Sequence, residues 1–234
     1  MSSILSSVIK TVSLPSDAVD ADNFDAPNAV LNGRLVYQGE TIYVEQDQVS
    51  YELWQSGFGQ YAPIKSFFSQ DGTYSASLFN RTYKLVIPTS QEPFKWKTLQ
   101  NGTADSIVIV LNGSQTLDLE VTPYYLIKNT NLSSAGRKIS GTISLEKIIT
   151  GADGREIEFV SLYVNKTQFV SGNSNSNIAN TRINASAIGS LANLNISVDV
   201  PAITPTQNYV FARIGVKIQG IEDMIFSPLQ KIVL

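Results

Sequence analysis

Histidine and cysteine are both absent from the 234 residues of this chain. Their absence excludes a Ser-His-Asp triad, a Cys-His catalytic pair, zinc bound by imidazole or thiolate, iron–sulfur clusters and intrachain disulfides. These are the catalytic and metal sites that are most readily recognised in a sequence. A core of this size needs no metal or disulfide to be stable.

Positive charge is also scarce. The net charge is −3 and the isoelectric point is near 5.0, which argues against a nucleic-acid partner because phosphate binding needs clustered Lys and Arg. Charged residues make up 16% of the chain and hydrophobic residues 43%, a balance typical of a folded domain and not of a disordered one. The apolar stretch at residues 4–14 is interrupted by polar residues and is shorter than the roughly 20 residues of a membrane-spanning helix. It also lacks the basic start of a secretory signal, so we interpret the chain as a form without its signal.

Alternation of apolar and polar residues dominates what is present, and it predicts half-buried strands. Predicted strands lie at 29–37, 49–55, 74–79, 82–87, 106–111, 116–122, 138–149, 157–165, 193–200, 209–219 and 229–234. The pairs Asn112-Gly113 and Asp153-Gly154 predict hairpins between their flanking strands. Gly33 lies inside a predicted strand, which indicates a bulge or a close backbone approach.

The same pattern predicts an all-β chain of two β-sandwich domains. Residues 1–27 form an extended leader or tether, residues 28–123 a first sandwich and residues 124–234 a second, with the junction near Pro123. The segment 185–191 is the one place where a helical turn is expected.

No catalytic, metal or cofactor site is expected. The leader carries four aspartates, but counting from Asp20 the sixth position is Asp25 and the twelfth is Leu31, where a calcium loop needs Gly and Glu. Other carboxylates are scattered among strands and turns, so no pair with glycosidase spacing stands out. The chain is therefore predicted not to be an enzyme.

Aromatic residues form the most informative cluster. Aromatic rings stack on sugar rings and anchor protein interfaces, and those on glycine-punctuated loops are weakly explained by core packing. The predicted ligand- or partner-binding residues are Trp54, Phe58, Tyr61, Phe94 and Trp96. The alternative, that these rings pack in the core or cover a sheet, stays open at this point.

An ordered set of short motifs adds a family resemblance. The motifs are DNFDAP at 22–27, LNGRLV at 31–36, DGTY at 71–74, LFNRTY at 78–83 and VTPY at 121–124. As a set they resemble a Bacteroidetes family of surface lipoproteins of unknown function that is encoded beside starch-utilisation-type outer-membrane transporters. The likeness covers roughly residues 22–234.

The resemblance implies a transthyretin-like (carboxypeptidase-regulatory-like) sandwich followed by an immunoglobulin-like or fibronectin-like one. It also implies a non-enzymatic accessory protein at the cell surface, on the outer membrane of a Gram-negative bacterium. There the protein would bind a glycan or peptide, or scaffold starch-utilisation-type (SusC/SusD-like) transporter subunits. Family members carry a lipid-modified Cys ahead of the first motif and this chain does not, so membrane association would need a lipid anchor not visible here.

A different class of function is the alternative hypothesis. The chain would then be a structural adhesin or pilin-like subunit in which residues 4–12 act as a strand donated to a neighbour's sheet.

Overall fold

The computed structural model describes residues 26–57, 61–88 and 91–234. Within these residues the protein is all-β, as predicted, and contains no α-helix; three single-turn 3₁₀ helices lie at Gly151–Asp153, Ser174–Ser176 and Ala185–Ala187. The last of these lies in the segment where a helical turn was expected. The described residues therefore include no helix long and apolar enough to cross a bilayer. The predicted leader falls almost entirely outside the described residues.

The described part of the N-terminal domain contains eleven strands. They are β1 (Ala29–Tyr37), β2 (Glu40–Thr41), β3 (Ser50–Trp54), β4 (Pro63–Phe67), β5 (Thr73–Leu78), β6 (Thr82–Val86), β7 (Phe94–Lys95), β8 (Ile107–Val110), β9 (Gln115–Thr116), β10 (Leu119–Glu120) and β11 (Thr122–Pro123).

Two sheets of this domain pack face to face. In one, β1 pairs antiparallel with β2 and β5 and parallel with β9 and β10. In the other, antiparallel strands run in the order β4-β3-β6-β8. Tyr51 of β3 and Tyr74 of β5 meet between the sheets, with ring centroids 5.1 Å apart. The short strands β7 and β11 pair with each other beside the entry to the second domain.

The predicted hairpin at Asn112-Gly113 is wrong. Strand β8 pairs with β6, whereas β9 and β10 pair with β1 in the opposite sheet. The turn carries the chain across the sandwich, and the Gly113 N–H donates to Asn80 Oδ1 at 2.7 Å. The chain does turn at Asn112-Gly113, as predicted. The buried strand β1, however, is the pairing partner of the strands that follow the turn.

Gly33 is where this crossing chain passes closest to β1. A Cβ atom added at Gly33 would lie 1.9 Å from the carbonyl oxygen of Leu117. Only glycine leaves that space, which confirms the close backbone approach predicted from the position of Gly33 inside a strand.

The C-terminal domain is a second sandwich. Its strands are β12 (Tyr125–Ala135), β13 (Lys138–Lys147), β14 (Ile157–Asn165), β15 (Ala179–Asn184), β16 (Leu194–Asp199), β17 (Tyr209–Ile218), β18 (Ile225–Phe226) and β19 (Gln230–Val233). One sheet has the order β12-β13-β16; the other has the order β15-β14-β17, with β18 and β19 both pairing with the far side of β17.

The predicted hairpin at Asp153-Gly154 is also wrong, because β13 and β14 lie in different sheets. The observed hairpin joins β12 to β13. Strand β12 was not predicted because its sequence, YLIKNTNLSSA, does not alternate. A register shift between Lys128 and Asn131 and a positive φ of 52° at Asn129 interrupt its pleat.

Part of the contact between the two domains is made by the outer face of the β15-β14-β17 sheet. On β17, Val210, Ala212, Ile214, Val216 and Ile218 point into the sandwich core, and Arg213 points the other way, yet it is only 1% exposed. A second apolar cluster covers this outer face, and Tyr43 of the N-terminal domain packs against it. It consists of Phe159, Tyr163, Val170, Met224 and Phe226. We call the surface formed by Tyr43, Arg213 and this cluster the domain junction.

Candidate functional site

The most exposed aromatic surface lies on the outer face of the β4-β3-β6-β8 sheet. Leu53 and Leu85 point into the core, so their neighbours along β3 and β6 point outwards. Trp54 lies opposite Pro63 on one side and Lys84 on the other, and Lys84 lies opposite Val108. The pairing register therefore gathers one outward row across four strands.

Several large apolar side chains are exposed on or beside this row. Tyr61, just before β4, is 58% exposed, and Phe67, Val108 and Val110 are exposed as well, while Trp54 is half-buried. We call the set Trp54, Tyr61, Phe67, Val108 and Val110 the aromatic face. A rigid sheet holds it, which suits a surface that must present rings in a fixed array.

Trp54 and Tyr61 form a ring pair on this face, at the end of β3 and just before the edge strand β4. Their ring centroids are 5.0 Å apart with the planes tilted by 40°. The Trp54 indole N–H donates to Glu52 Oε2 at 2.9 Å, which fixes the orientation of the ring. Two adjoining rings that expose part of their area provide a stacking platform for a flat, weakly polar group.

Charged groups border the platform. Lys65 lies opposite Glu52 across β3 and β4, and its ammonium lies 5.6 Å from the centre of the Phe67 ring. Glu52 can accept hydrogen bonds from hydroxyl groups of a molecule stacked on Trp54, and Lys65 can donate hydrogen bonds to them. The arrangement can bind, but it contains no feature that indicates bond cleavage.

The structure separates the five predicted residues. It brings Trp54 and Tyr61 together, and Phe58 lies outside the described residues. Phe94 and Trp96 are 4% and 5% exposed, and the Trp96 indole N–H donates to the Asp105 backbone carbonyl at 2.7 Å. Their burial favours the core-packing alternative for these two rings, although both line a cleft of about 240 Å³ together with Tyr124, Arg155 and Ile221.

Phe67, Val108 and Val110 are members of the aromatic face that the sequence did not indicate as site residues. In Ile107-Val108-Ile109-Val110 every residue is apolar, so alternation could not show which side chains point outwards. The register of β8 against β6 decides it, since Val108 lies opposite Lys84 and Ile109 opposite the buried Tyr83.

One carboxyl group has a perturbed pKa. Burial, together with the negative charges of Glu92 and Glu222, raises the pKa of Asp223 to about 6. The Asp223 N–H donates to the Gln91 carbonyl oxygen at 3.0 Å, which places it where the two domains touch. Crowding of like charges at a half-buried contact produces such a shift without any catalytic role. The described residues hold no group of three or more carboxylates that could bind a metal ion.

Comparison with protein families identifies the chain. The profile of the DUF3823 N-terminal domain, a family of unknown function, matches residues 29–122, and that of the DUF3823 C-terminal domain matches residues 125–231. The chain belongs to the DUF3823 family. The resemblance to a Bacteroidetes family of unknown function is thereby confirmed, whereas its association with transporters stays a prediction.

Solved DUF3823 structures share this architecture. One from Parabacteroides merdae is 30% identical with a TM-score of 0.74, and one from Bacteroides ovatus is 27% identical with a TM-score of 0.74. A Bacteroides uniformis structure described as a candidate carbohydrate-binding protein is 18% identical with a TM-score of 0.68. Each alignment covers 89% of this chain and all of the other. No curated protein matches the chain.

Proposed function

We propose that this DUF3823 protein is a non-enzymatic binding subunit of an outer-membrane nutrient-uptake complex, and that its aromatic face contacts a glycan. The observation that carries the proposal is the fixed, partly exposed Trp54–Tyr61 pair on a rigid sheet. A contiguous apolar patch that stays exposed on the surface of a folded protein often marks a contact site. The family's Bacteroidetes membership and the name of the Bacteroides uniformis relative support the same class of function.

The shape of the surface indicates which glycans to expect. The face is the broad outer side of a four-stranded sheet, so it suits an extended polysaccharide chain lying across the strands. Trp54 and Tyr61 would stack on successive apolar sugar faces, while Glu52 and Lys65 would bind hydroxyl groups at the edge of the platform.

Affinity electrophoresis in gels that contain soluble starch, xylan, mannan or mixed-linkage glucan tests the glycan-binding part. At least one polysaccharide should retard the parent chain, and Trp54→Ala should weaken that binding by about 30-fold, the effect of removing a 2 kcal/mol anchor. Val233→Ala, which shortens an exposed apolar side chain of the other domain, is the control and should bind like the parent. Equal retardation of Trp54→Ala and parent would exclude the aromatic face.

The accessory role has its own test. Affinity-tagged protein recovered from the outer membrane of its source bacterium should copurify with a TonB-dependent transporter, and Trp54→Ala should copurify equally well. Loss of the transporter from the Trp54→Ala sample would make the face a docking surface for protein instead of glycan. Ordered self-polymers in place of a transporter complex would favour the adhesin alternative.

Absence of catalysis is a further expectation. Incubation of the purified chain with the same polysaccharides should release no reducing ends. Turnover that disappears in Asp223→Asn would overturn the non-enzymatic part of the proposal, because Asp223 is the carboxyl group with the pKa best suited to a general acid.

A further inference from the structure

A groove runs between the two domains beside Phe169. It consists of adjoining cavities of about 420 and 560 Å³, both lined by Gln46 and Phe169. The N-terminal domain supplies one wall from residues 43–48 and 69–71, and the C-terminal domain supplies the other mainly from residues 167–176. Each cavity has the size of a small-ligand site.

A buried guanidinium fixes the two walls relative to each other. Arg213 Nε donates to the Val170 carbonyl oxygen at 2.5 Å, and Nη1 donates to the Val44 carbonyl oxygen at 3.0 Å. Gln70 Nε2 donates across the groove to the Gln168 carbonyl oxygen at 2.8 Å. Because these bonds hold both walls before any ligand arrives, little ordering entropy would be lost on binding.

The backbone of Phe169 is fixed by a buried side chain, and the residue itself is exposed. Its side chain is 48% exposed, while its carbonyl oxygen accepts from Nδ2 of the buried Asn165 at 2.6 Å. The following loop is held by its own bonds, since Asn173 Oδ1 accepts from the Asn175 N–H and Asn177 Nδ2 donates to the Ser171 carbonyl oxygen. The ring is therefore presented into the groove mouth by an ordered loop.

The groove is lined by amide and hydroxyl groups around the rings of Phe169 and Tyr43. Amide side chains come from both walls, including Gln46, Gln48, Gln168, Asn173 and Asn175. The groove is also lined by carboxylates of Glu45, Asp47 and Asp71 and by no lysine or arginine among the described residues. Arg213 lies beneath it but is buried, and its Nε and Nη1 donate to backbone carbonyls.

We propose that this groove is a second binding site, which takes a short neutral oligosaccharide end-on with one sugar stacked on Phe169. Amides bind hydroxyl groups as donors and acceptors, and the aromatic ring covers an apolar sugar face. The rim carboxylates repel uronic, sialic or sulfated sugars. The site is separate from the aromatic face and does not depend on the function proposed for that face.

Isothermal titration with neutral hexaoses of α-1,4-glucose, β-1,4-glucose, β-1,4-xylose and β-1,4-mannose tests the proposal, with hexagalacturonate as the anionic probe. The parent chain should bind at least one neutral hexaose and bind hexagalacturonate at least tenfold more weakly. Phe169→Ala should weaken the neutral ligand by about tenfold or more. Leu99→Ala, which shortens an exposed side chain that lines neither the groove nor the aromatic face, should leave the affinity unchanged.

A second variant controls for loss of loop structure when Phe169 is replaced. Asn175→Ala keeps Phe169 and should weaken the same hexaose by about threefold to tenfold through one lost hydrogen bond. Amide chemical shifts at residues 45–48 and 168–176 should move on titration, and they should still move in Trp54→Ala, which lacks the ring anchor of the aromatic face. Binding of no neutral hexaose, equal affinity for hexagalacturonate, or unchanged affinity in both groove variants would each overturn the proposal.

Discussion

The aromatic face and the domain junction are built from the same kind of sheet surface but differ in solvent exposure. Each is the outer side of a sheet whose inner side forms a sandwich core, and each carries aromatic rings. At the junction the other domain covers the rings, and Arg213 beneath them is 1% exposed. On the aromatic face no described residue of the other domain covers Trp54 and Tyr61, and Tyr61 stays more than half exposed.

The polar groups of the two regions also differ in their hydrogen-bond partners. At the junction Arg213 gives its hydrogen bonds to backbone carbonyls of both domains and stacks 3.8 Å from the centre of the Phe226 ring. Burial lowers the pKa of its guanidinium, and the charge of Glu45 opposes that shift. On the aromatic face Glu52 binds one indole N–H and leaves its second oxygen open to solvent or ligand. The junction is organised for stability, and the aromatic face for contact.

The two tryptophans should show the contrast most strongly. Trp96→Ala is expected to lower the free energy of unfolding by about 3–5 kcal/mol, because it empties a buried site and orphans the Asp105 carbonyl oxygen. Trp54→Ala should cost only about 1 kcal/mol, the value of the ring pair with Tyr61. Urea unfolding of both variants measures the difference, and equal losses would contradict the assignment of Trp54 to a contact surface.

Arg213 tests whether the junction is held by its buried cation. Arg213→Met should lower the unfolding free energy by about 3 kcal/mol, since the Val44 and Val170 carbonyl oxygens lose their donor. Lys84→Met, on the aromatic face, should stay within about 0.5 kcal/mol of the parent in the same urea titration. A more stable Arg213→Met variant would show that burying the charge costs more than its bonds return.

The pH dependence of the unfolding free energy tests the contribution of Asp223, which lies where the two domains touch. Its folded-state pKa is raised to about 6 from an unfolded value near 3.8, so the folded state binds the proton more tightly and stability falls as the pH rises from about 4 to 6. Since the side chain is only half-buried, solvent screening reduces the effect to about 1 kcal/mol. Asp223→Asn should therefore stabilise the protein by about that amount at pH 7 and have little effect at pH 4.

Urea unfolding at both pH values measures this effect. Asp153→Asn is the control, because Asp153 pairs with Lys95 at 2.9 Å on the surface and its loss should be neutral or slightly destabilising at pH 7. A destabilised Asp223→Asn variant at pH 7 would contradict the raised pKa.

The smallest effect is expected at the edge of the aromatic face. Val108→Thr should change the unfolding free energy by less than about 0.5 kcal/mol because the side chain is exposed. Val216→Thr places a hydroxyl in the C-terminal core and should cost about 1–3 kcal/mol. Thermal unfolding of the pair checks the orientation assigned to β8, and a large loss in Val108→Thr would mean that the strand faces the other way.

Much of the fold was predictable because period-two alternation is a local signal. Strand β1 runs over the nine residues predicted, and β3, β5 and β6 lie within about a residue of theirs. Strands β4, β12 and β15 were missed, since sequences such as PIKSF and ANTRIN do not alternate clearly between apolar and polar residues. Part of the aromatic face was predictable from exposed-looking rings near glycines, but burial of Phe94 and Trp96 depends on segments far away in sequence.

The sequence by itself determined the all-β class, most strand positions and the exclusion of histidine and cysteine chemistry. These follow from composition and from short-range backbone preferences. Tertiary structure alone decided that β8 and β10 lie in opposite sheets, that Arg213 is buried between domains, and that the outward row of β3, β6 and β8 is exposed. Those outcomes depend on which distant strand offers hydrogen bonds and a buried face, and no local pattern encodes that choice.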